Sequence, residues 1–239
     1  MIGMIFHIGY SDDMGSTNII ESTELRDQTR IFQDRKHAGQ ALAQMLEGYR
    51  DSSATVFAIP AGGVPVAAEI GRELNLPLYA AVVSKITPPW NSEVGYGAVA
   101  FDGTMRLNEA LVERLNITQE QMEQDIIETR KKVKRRSLLF QRDQAQEALS
   151  GRPAILVDDG LASGFTMHVA VEALHKRSLS EVVVAVPTGP IDTVRRIAAD
   201  VDRIYCLNIR SGITFAVADA YKHWRDVTEQ EALDVFGRL

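Results

Sequence analysis

The sequence has one cysteine in 239 residues, and that scarcity removes several classes of protein at once. Cys206 cannot close an intramolecular disulfide, and no CxxC or Cys/His cluster is present to hold structural zinc. It sits in Arg203-Ile204-Tyr205-Cys206-Leu207, which reads as a strand, so a buried, inert thiol is expected rather than a nucleophile. No apolar run reaches the ~20 residues that cross a bilayer. The apolar opening from Met1 to Ile8 has no basic segment before it and no small-residue cleavage site after it, which makes a poor signal peptide. A reduced, cytoplasmic setting without membrane contact is expected. Positive charge is not in excess either. Twenty-six Lys+Arg against 32 Asp+Glu leave a formal charge of -6, so no global attraction to nucleic acid is indicated. What remains is ordinary globular composition, 45% hydrophobic and 24% charged with 17 Gly and 8 Pro. That excludes a disordered tail, a collagen-like repeat and a coiled-coil rod, at a length sufficient for one large domain or two small ones.

Residues 1 to about 30 are mixed and polar without a sustained period, and read as a loosely attached arm. Ala38, Leu42, Met45, Leu46 and Tyr49 then recur at helical spacing, predicting an amphipathic helix from Asp34 to Tyr49. Thr55 to Ile59 is a short apolar run stopped by Pro60-Ala61-Gly62-Gly63; a helix follows to Leu74, and Leu78 to Ser84 is the next strand. Strand, helix, strand signals a parallel α/β sheet. Between Lys85 and Asn108 the helical period vanishes. Asp102-Gly103 between two short apolar runs there predicts a hairpin. A capping-box pattern at Thr118 to Gln121 opens a long helical stretch to about Leu149. Strands and helices alternate again from Ala154 to Leu207, and a last helix starts near Thr228.

The stretch from Ala154 to Thr166 carries the chemistry. An apolar strand ends in the adjacent carboxylates Asp158 and Asp159, followed by Gly160-Leu161-Ala162-Ser163-Gly164-Phe165-Thr166 and an amphipathic helix. Gly160 and Gly164 let the backbone turn tightly and approach a ligand. Loop amides and a helix N-terminus aimed at one spot favour a phosphate, and Ser163 and Thr166 add hydroxyl donors. Two carboxylates at the carboxyl end of a strand lie where α/β folds bind ligands; they could accept hydrogen bonds from a vicinal diol or hold Mg²⁺ through water. Together these suggest a grip on ribose 5-phosphate. The bland alternative is that the aspartates cap the helix and the glycines are ordinary turn residues. The segment is neither a Walker A loop nor a dinucleotide fingerprint, since Gly-Lys-Ser/Thr and G-x-G-x-x-G are both absent.

The same segment resembles the PRPP-binding signature of type I phosphoribosyltransferases, in its apolar strand, Asp158, Asp159, Ser163, Gly164 and Thr166. It departs at Ala162, where a hydroxyl residue is usual. Ile59 to Ala67 is similar to the family's pyrophosphate-binding loop, with Ala61, Gly62 and Gly63 offering backbone contacts where the family often has a basic residue at the position of Ala61. Lys85 stands at a strand end where family members often place a cation near pyrophosphate. The Ile86 to Ala98 stretch, with Trp90, Glu93 and Tyr96, resembles the family's mobile loop and hairpin. Phe32 to Gly39 (Phe-x-Asp-Arg-x-x-Ala-Gly) and Gly95 to Ala98 resemble in particular a bacterial and archaeal group of the family, which implies a chemistry without an acceptor.

The resemblance implies an α/β fold of that type: a parallel sheet flanked by helices, a hairpin flap, a helical insertion over about 108–150 and a C-terminal hood over about 208–239, within a domain spanning 31–239. It implies transfer of a phosphoribosyl group from PRPP to a small nitrogenous base with Mg²⁺. Asp158 and Asp159 would be catalytic, residues 160–164 and Thr166 would bind the 5-phosphate, and Ala61, Gly62, Gly63 and Lys85 the pyrophosphate. A homodimer is the assembly considered. Two other readings stay open: a non-catalytic PRPP or nucleotide sensor linked to RNA, and a phosphohydrolase using the aspartates. The run Arg130 to Arg136 holds six basic residues; it reads as a solvated helix face or as an RNA contact, with little aromatic interleaving for the latter. In the hood, Phe215, Tyr221 and Trp224 with Arg210 and His223 would either stack on an acceptor or pack the terminal helix.

Overall fold

A computed structural model describes residues 8–10, 18–92, 94–140 and 149–238. Its main sheet has seven strands: β1 (Ile8–Tyr10), β2 (Ile19–Ser22), β3 (Thr55–Ala58), β4 (Leu78–Ala80), and β8 (Pro153–Val157), β9 (Glu181–Pro190) and β10 (Arg203–Arg210) from later in the chain. Their spatial order is β1-β2-β10-β9-β8-β3-β4, parallel throughout except for β1 at the edge. Helices α1 (Arg35–Met45), α2 (Gly63–Leu74), α5 (Phe165–His175) and α6 (Ile191–Ala198) supply the crossovers, and α7 (Glu229–Gly237) closes the chain. Strand side chains alternate between two faces. Ile155, Val157, Val183 and Ala185 join Leu42, Val64 and Ile70 in one core, while Leu156, Val182 and Val184 join Met167, Leu174 and Ile197 in the other. Helices thus cover both faces, as a parallel sheet requires.

A second sheet of β5 (Val83–Ile86), β6 (Gly97–Ala100) and β7 (Met105–Leu107) is antiparallel. The Asp102-Gly103 hairpin is present, with Gly103 at φ 91° and Asp102 Oδ1 accepting from the Thr104 amide at 2.9 Å. Behind it run α3 (Glu109–Arg114) and α4 (Gln119–Phe140). Tyr96 is fully buried and donates its hydroxyl to Asp125 of α4 at 2.7 Å, whereas Trp90 is exposed. Thr118 accepts from the Gln121 amide, but the Gln121 side chain reaches forward to Asp125, so only half of the expected capping box forms.

Two expectations need correction. Residues 18–30 are no loose arm: Ile19, Ile20, Glu21 and Ser22 are buried, β2 pairs in parallel with β10, and Glu21 is neutralised by Arg26. A four-residue strand offers too few positions for alternation to show. The apolar run Leu78 to Ser84 is not one strand either. The chain leaves the main sheet after Ala80, and β5 pairs with β6 instead. A continuous apolar run fits burial in either sheet and so does not reveal the switch. Residues 1–7, 11–17, Glu93 and the end of the long helical stretch at 141–148 lie outside the described residues.

Candidate functional site

β3 and β8 are neighbours in register, with Ala58 opposite Val157. The loops that follow them therefore leave the sheet side by side, and the Ile59 amide donates to the Val157 carbonyl at 2.9 Å. This brings together two segments about 100 residues apart at the carboxyl edge of the sheet, the usual ligand position in such folds. A cleft of about 400 Å³ opens there. Ala61, Gly62, Lys85, Asp158, Asp159, Gly160 to Gly164 and Thr166 all line it.

Each loop is held by a close approach. A Cβ at Gly62 would lie 2.2 Å from Asp159 Oδ2, so any side chain there would displace the acid or the loop. Gly63 does not line the cleft. Its amide donates to the Ile59 carbonyl at 3.1 Å, and a Cβ on it would meet the Val157 carbonyl oxygen at 2.7 Å. The expected offer of the Gly63 N–H to pyrophosphate is therefore corrected: that donor opens α2, and the residue serves to bring the helix down onto β8. Gly164 sits at φ 74°, and a Cβ there would press Thr193 at 2.6 Å.

The second loop faces the cleft with its donors because its acceptors are used elsewhere. Thr193 Oγ1 donates to the Ala162 carbonyl at 3.1 Å and Arg196 donates to the Ser163 carbonyl at 3.3 Å, both from α6. In a planar trans peptide the N–H points opposite to the C=O. The Ser163 and Gly164 amides are thus turned away from α6, next to the first turn of α5, whose Phe165 amide donates to Ser163 Oγ at 3.4 Å. The Leu161 amide, by contrast, is spent on the Thr188 carbonyl at 2.8 Å and its side chain is buried. Leu161 closes the loop from beneath.

The two aspartates are not equivalent. Asp158 Oδ1 accepts from the Asp159 amide at 2.8 Å. Burial, reinforced by the neighbouring Asp159 charge, holds the Asp158 carboxyl well above the ordinary carboxylate range. Burial raises Asp159 as well, but the Arg35 guanidinium opposes it, with Nε and a terminal nitrogen both 2.8 Å from Oδ2. Two nearby carboxylates disfavour double ionisation, and the cation decides which of them keeps its charge. Asp159 is the anchored anion and Asp158 the group more ready to carry a proton.

Phe32 to Gly39 contains Arg35, whose role the local sequence does not show. Arg35 donates its remaining fork nitrogen to the Arg225 carbonyl at 2.8 Å and lies 3.9 Å over the Trp224 ring. Tyr221, buried behind it, donates to the Asp159 carbonyl at 2.7 Å. Arg35 thus ties the acid pair to the hood, from which Val217, Trp224, Asp226 and Val227 reach the cleft. Of the hood residues named from sequence, Trp224 lines the cleft and Tyr221 supports it; Phe215, Arg210 and His223 do not line it. Lys85 lines the far wall, its stem packed on Gly95. Nothing local in the sequence marks Thr193 or Arg196, since each holds the loop from another helix.

Fold and cleft together define an α/β protein with one cleft between two glycine loops at the carboxyl edge of its sheet, lined by an acid pair, a lysine and two hydroxyl side chains. Residues 23–221 match the model of the phosphoribosyl transferase domain, and the chain belongs to that family. Two proteins of Mycobacterium tuberculosis, from strains CDC 1551 and H37Rv, are each provisionally named phosphoribosyl transferases; both are 34% identical over 211 residues. The match covers 87% of this chain and 47% of theirs, so the chain spans about half the length of these curated relatives. A crystal structure of the protein TT1426 from Thermus thermophilus superimposes with a TM-score of 0.68 at 30% identity, covering 86% of this chain and 97% of that one. Among the described residues no helix is long and apolar enough to cross a membrane.

Proposed function

We propose that this domain transfers the 5-phosphoribosyl group of PRPP to a small nitrogenous base and releases pyrophosphate. The observation that carries the reading is the single cleft of about 400 Å³ that gathers Gly62, Lys85, the acid pair and the 160–166 loop, a volume suited to one small ligand. Ser163, Gly164 and Thr166 hold the 5-phosphate with outward-turned amides and hydroxyls. Asp158 and Asp159 hold the ribose hydroxyls. Ala61, Gly62 and Lys85 receive the pyrophosphate, and Trp224 with Val217 and Val227 flanks the acceptor.

The acceptor nitrogen forms its bond to C1 as the C1–O bond to pyrophosphate breaks, and positive charge builds on the ribose ring. Fixed carboxylates beside that ring stabilise the transition state more than the ground state. Asp158, whose raised pKa disposes it to take a proton, accepts the one the acceptor nitrogen gives up. Among the described residues no group of three or more His, Cys, Asp or Glu converges as a metal cage. The donor set nevertheless suits Mg²⁺, which binds through one or two carboxylates and fills its shell with water and substrate oxygens. Asp158 and Asp159 would hold it, and it would neutralise charge developing on the leaving group.

Protein mixed with PRPP, Mg²⁺ and a panel of nitrogenous bases should release pyrophosphate only when an accepted base is present. Tight PRPP binding without turnover would favour a sensor, and inorganic phosphate released from nucleotides a hydrolase. Replacing both acids (Asp158→Asn with Asp159→Asn) should abolish PRPP affinity in calorimetry; unchanged affinity would refute the assignment.

A further inference from the structure

The basic run in α4 is left unused by the reading above, and it borders a second cleft. Arg130, Val133, Lys134, Ser137 and Leu138 recur at i, i+3, i+4, i+7 and i+8, which sets them on one helix face. With Val99, Ala100, Phe101 and Gly103 of the hairpin they enclose about 390 Å³. We infer that this cleft binds a small amphipathic anion, an aromatic or acyl body carrying a phosphate or carboxylate.

Three observations support it. Arg130 and Lys134 are exposed at the mouth, and among the described residues neither has an ion-pair or hydrogen-bond partner. Two other cations of the run are spent: Arg136 is buried on Glu229 at 2.9 Å and Arg135 pairs with the same carboxylate, while Lys131 and Lys132, exposed like Arg130 and Lys134, do not line the cleft. Ser137 lines the cleft, and its buried hydroxyl has no hydrogen-bond partner among the described residues; an orphaned polar atom is costly until a partner reaches it. The floor is apolar (Val99, Phe101, Val133), and Leu138 beside it is 61% exposed. Cations alone would suit inorganic phosphate, and an apolar floor alone would suit a neutral hydrocarbon; the combination selects a molecule with both parts. A concavity of this volume takes one small ligand rather than a polymer.

The cleft is distinct from the one between the glycine loops, so it is testable without any assumption about PRPP. Titration with 4-methylumbelliferyl phosphate, followed by fluorescence anisotropy, should give saturable one-to-one binding. Arg130→Gln with Lys134→Gln should weaken it by about tenfold or more. Ser137→Leu, which fills the cleft, should do the same. Asp158→Asn with Asp159→Asn should leave it unchanged, and inorganic phosphate should compete only poorly. The two cation substitutions are on exposed positions, and an unaltered circular dichroism spectrum certifies the fold. The inference is overturned by any of four results: no saturable binding to the native chain, affinity indifferent to the cation variant, loss of binding in the aspartate variant, or equal competition by inorganic phosphate.

Discussion

The rim at the carboxyl ends of β3 and β8 and the cleft beneath α4 are both charged, and their charges are kept in opposite ways. At the rim the acid pair and the loop carbonyls are met from within the chain: Asp159 by Arg35, Asp158 by the Asp159 amide, the carbonyls by Thr193 and Arg196. Under α4, Arg130 and Lys134 stand in solvent without partners among the described residues. Burial makes the difference. A charge removed from water must be paired or it neutralises, while an exposed cation costs nothing to leave free. The rim is consequently preorganised, its dipoles already placed for a ligand's charge, and the α4 face is adaptable.

The comparison breaks most sharply at Gly62. In Gly62→Ala the new methyl would sit 2.2 Å from Asp159 Oδ2, so either the acid or the loop must move. A displacement of this order costs about 10²-fold in kcat/KM, read by steady-state kinetics on a variant whose circular dichroism is unchanged. Activity within about twofold of native would mean the rim adapts as the α4 face does. Arg35→Lys tests the pairing itself. Lysine keeps the charge but loses the planar fork that reaches Asp159 and the Arg225 carbonyl together. The acceptor KM should rise by about tenfold as the hood loses its tie to the acids, and a KM unchanged for both substrates would remove Arg35 from the site.

Asp158→Asn sharpens the contrast through stability. Burial and the Asp159 charge raise the Asp158 pKa in the folded state, so the unfolded chain gives up this proton first as pH rises. Its contribution is fully present below the ordinary aspartate pKa of about 3.9 and is lost as pH climbs through the raised folded value. The Asn variant should therefore melt above the native protein near neutral pH and converge with it in acid, while losing activity. A lower Tm at neutral pH would contradict the burial account. Lys134→Gln is the matching control on the other face, with a stability change within about 0.5 kcal/mol.

Much of the site was legible because it is contiguous. Asp158 to Thr166 lies in one strand-loop-helix segment, and strand, glycine and helix preferences are local properties of the chain. The Asp102-Gly103 turn was legible for the same reason. Arg35 was not, although its motif was in view, because its partner Asp159 lies 124 positions away. Gly63 was misread from its neighbour Gly62: which of two adjacent amides opens a helix and which faces a cleft depends on the packing of α2 against β8. Ile19 to Ser22 escaped because a strand that short shows itself only by what it pairs with.

By itself the sequence determined the α/β alternation, the two glycine loops and the acids at a strand's end, since periodicity and backbone preference act between residues close in the chain. Tertiary structure alone decided that Arg35 holds Asp159, that Arg136 is buried while Arg130 stays exposed, and that β5 leaves the main sheet. Those outcomes are set by desolvation and charge pairing, which depend on neighbours that only folding brings within a few ångströms.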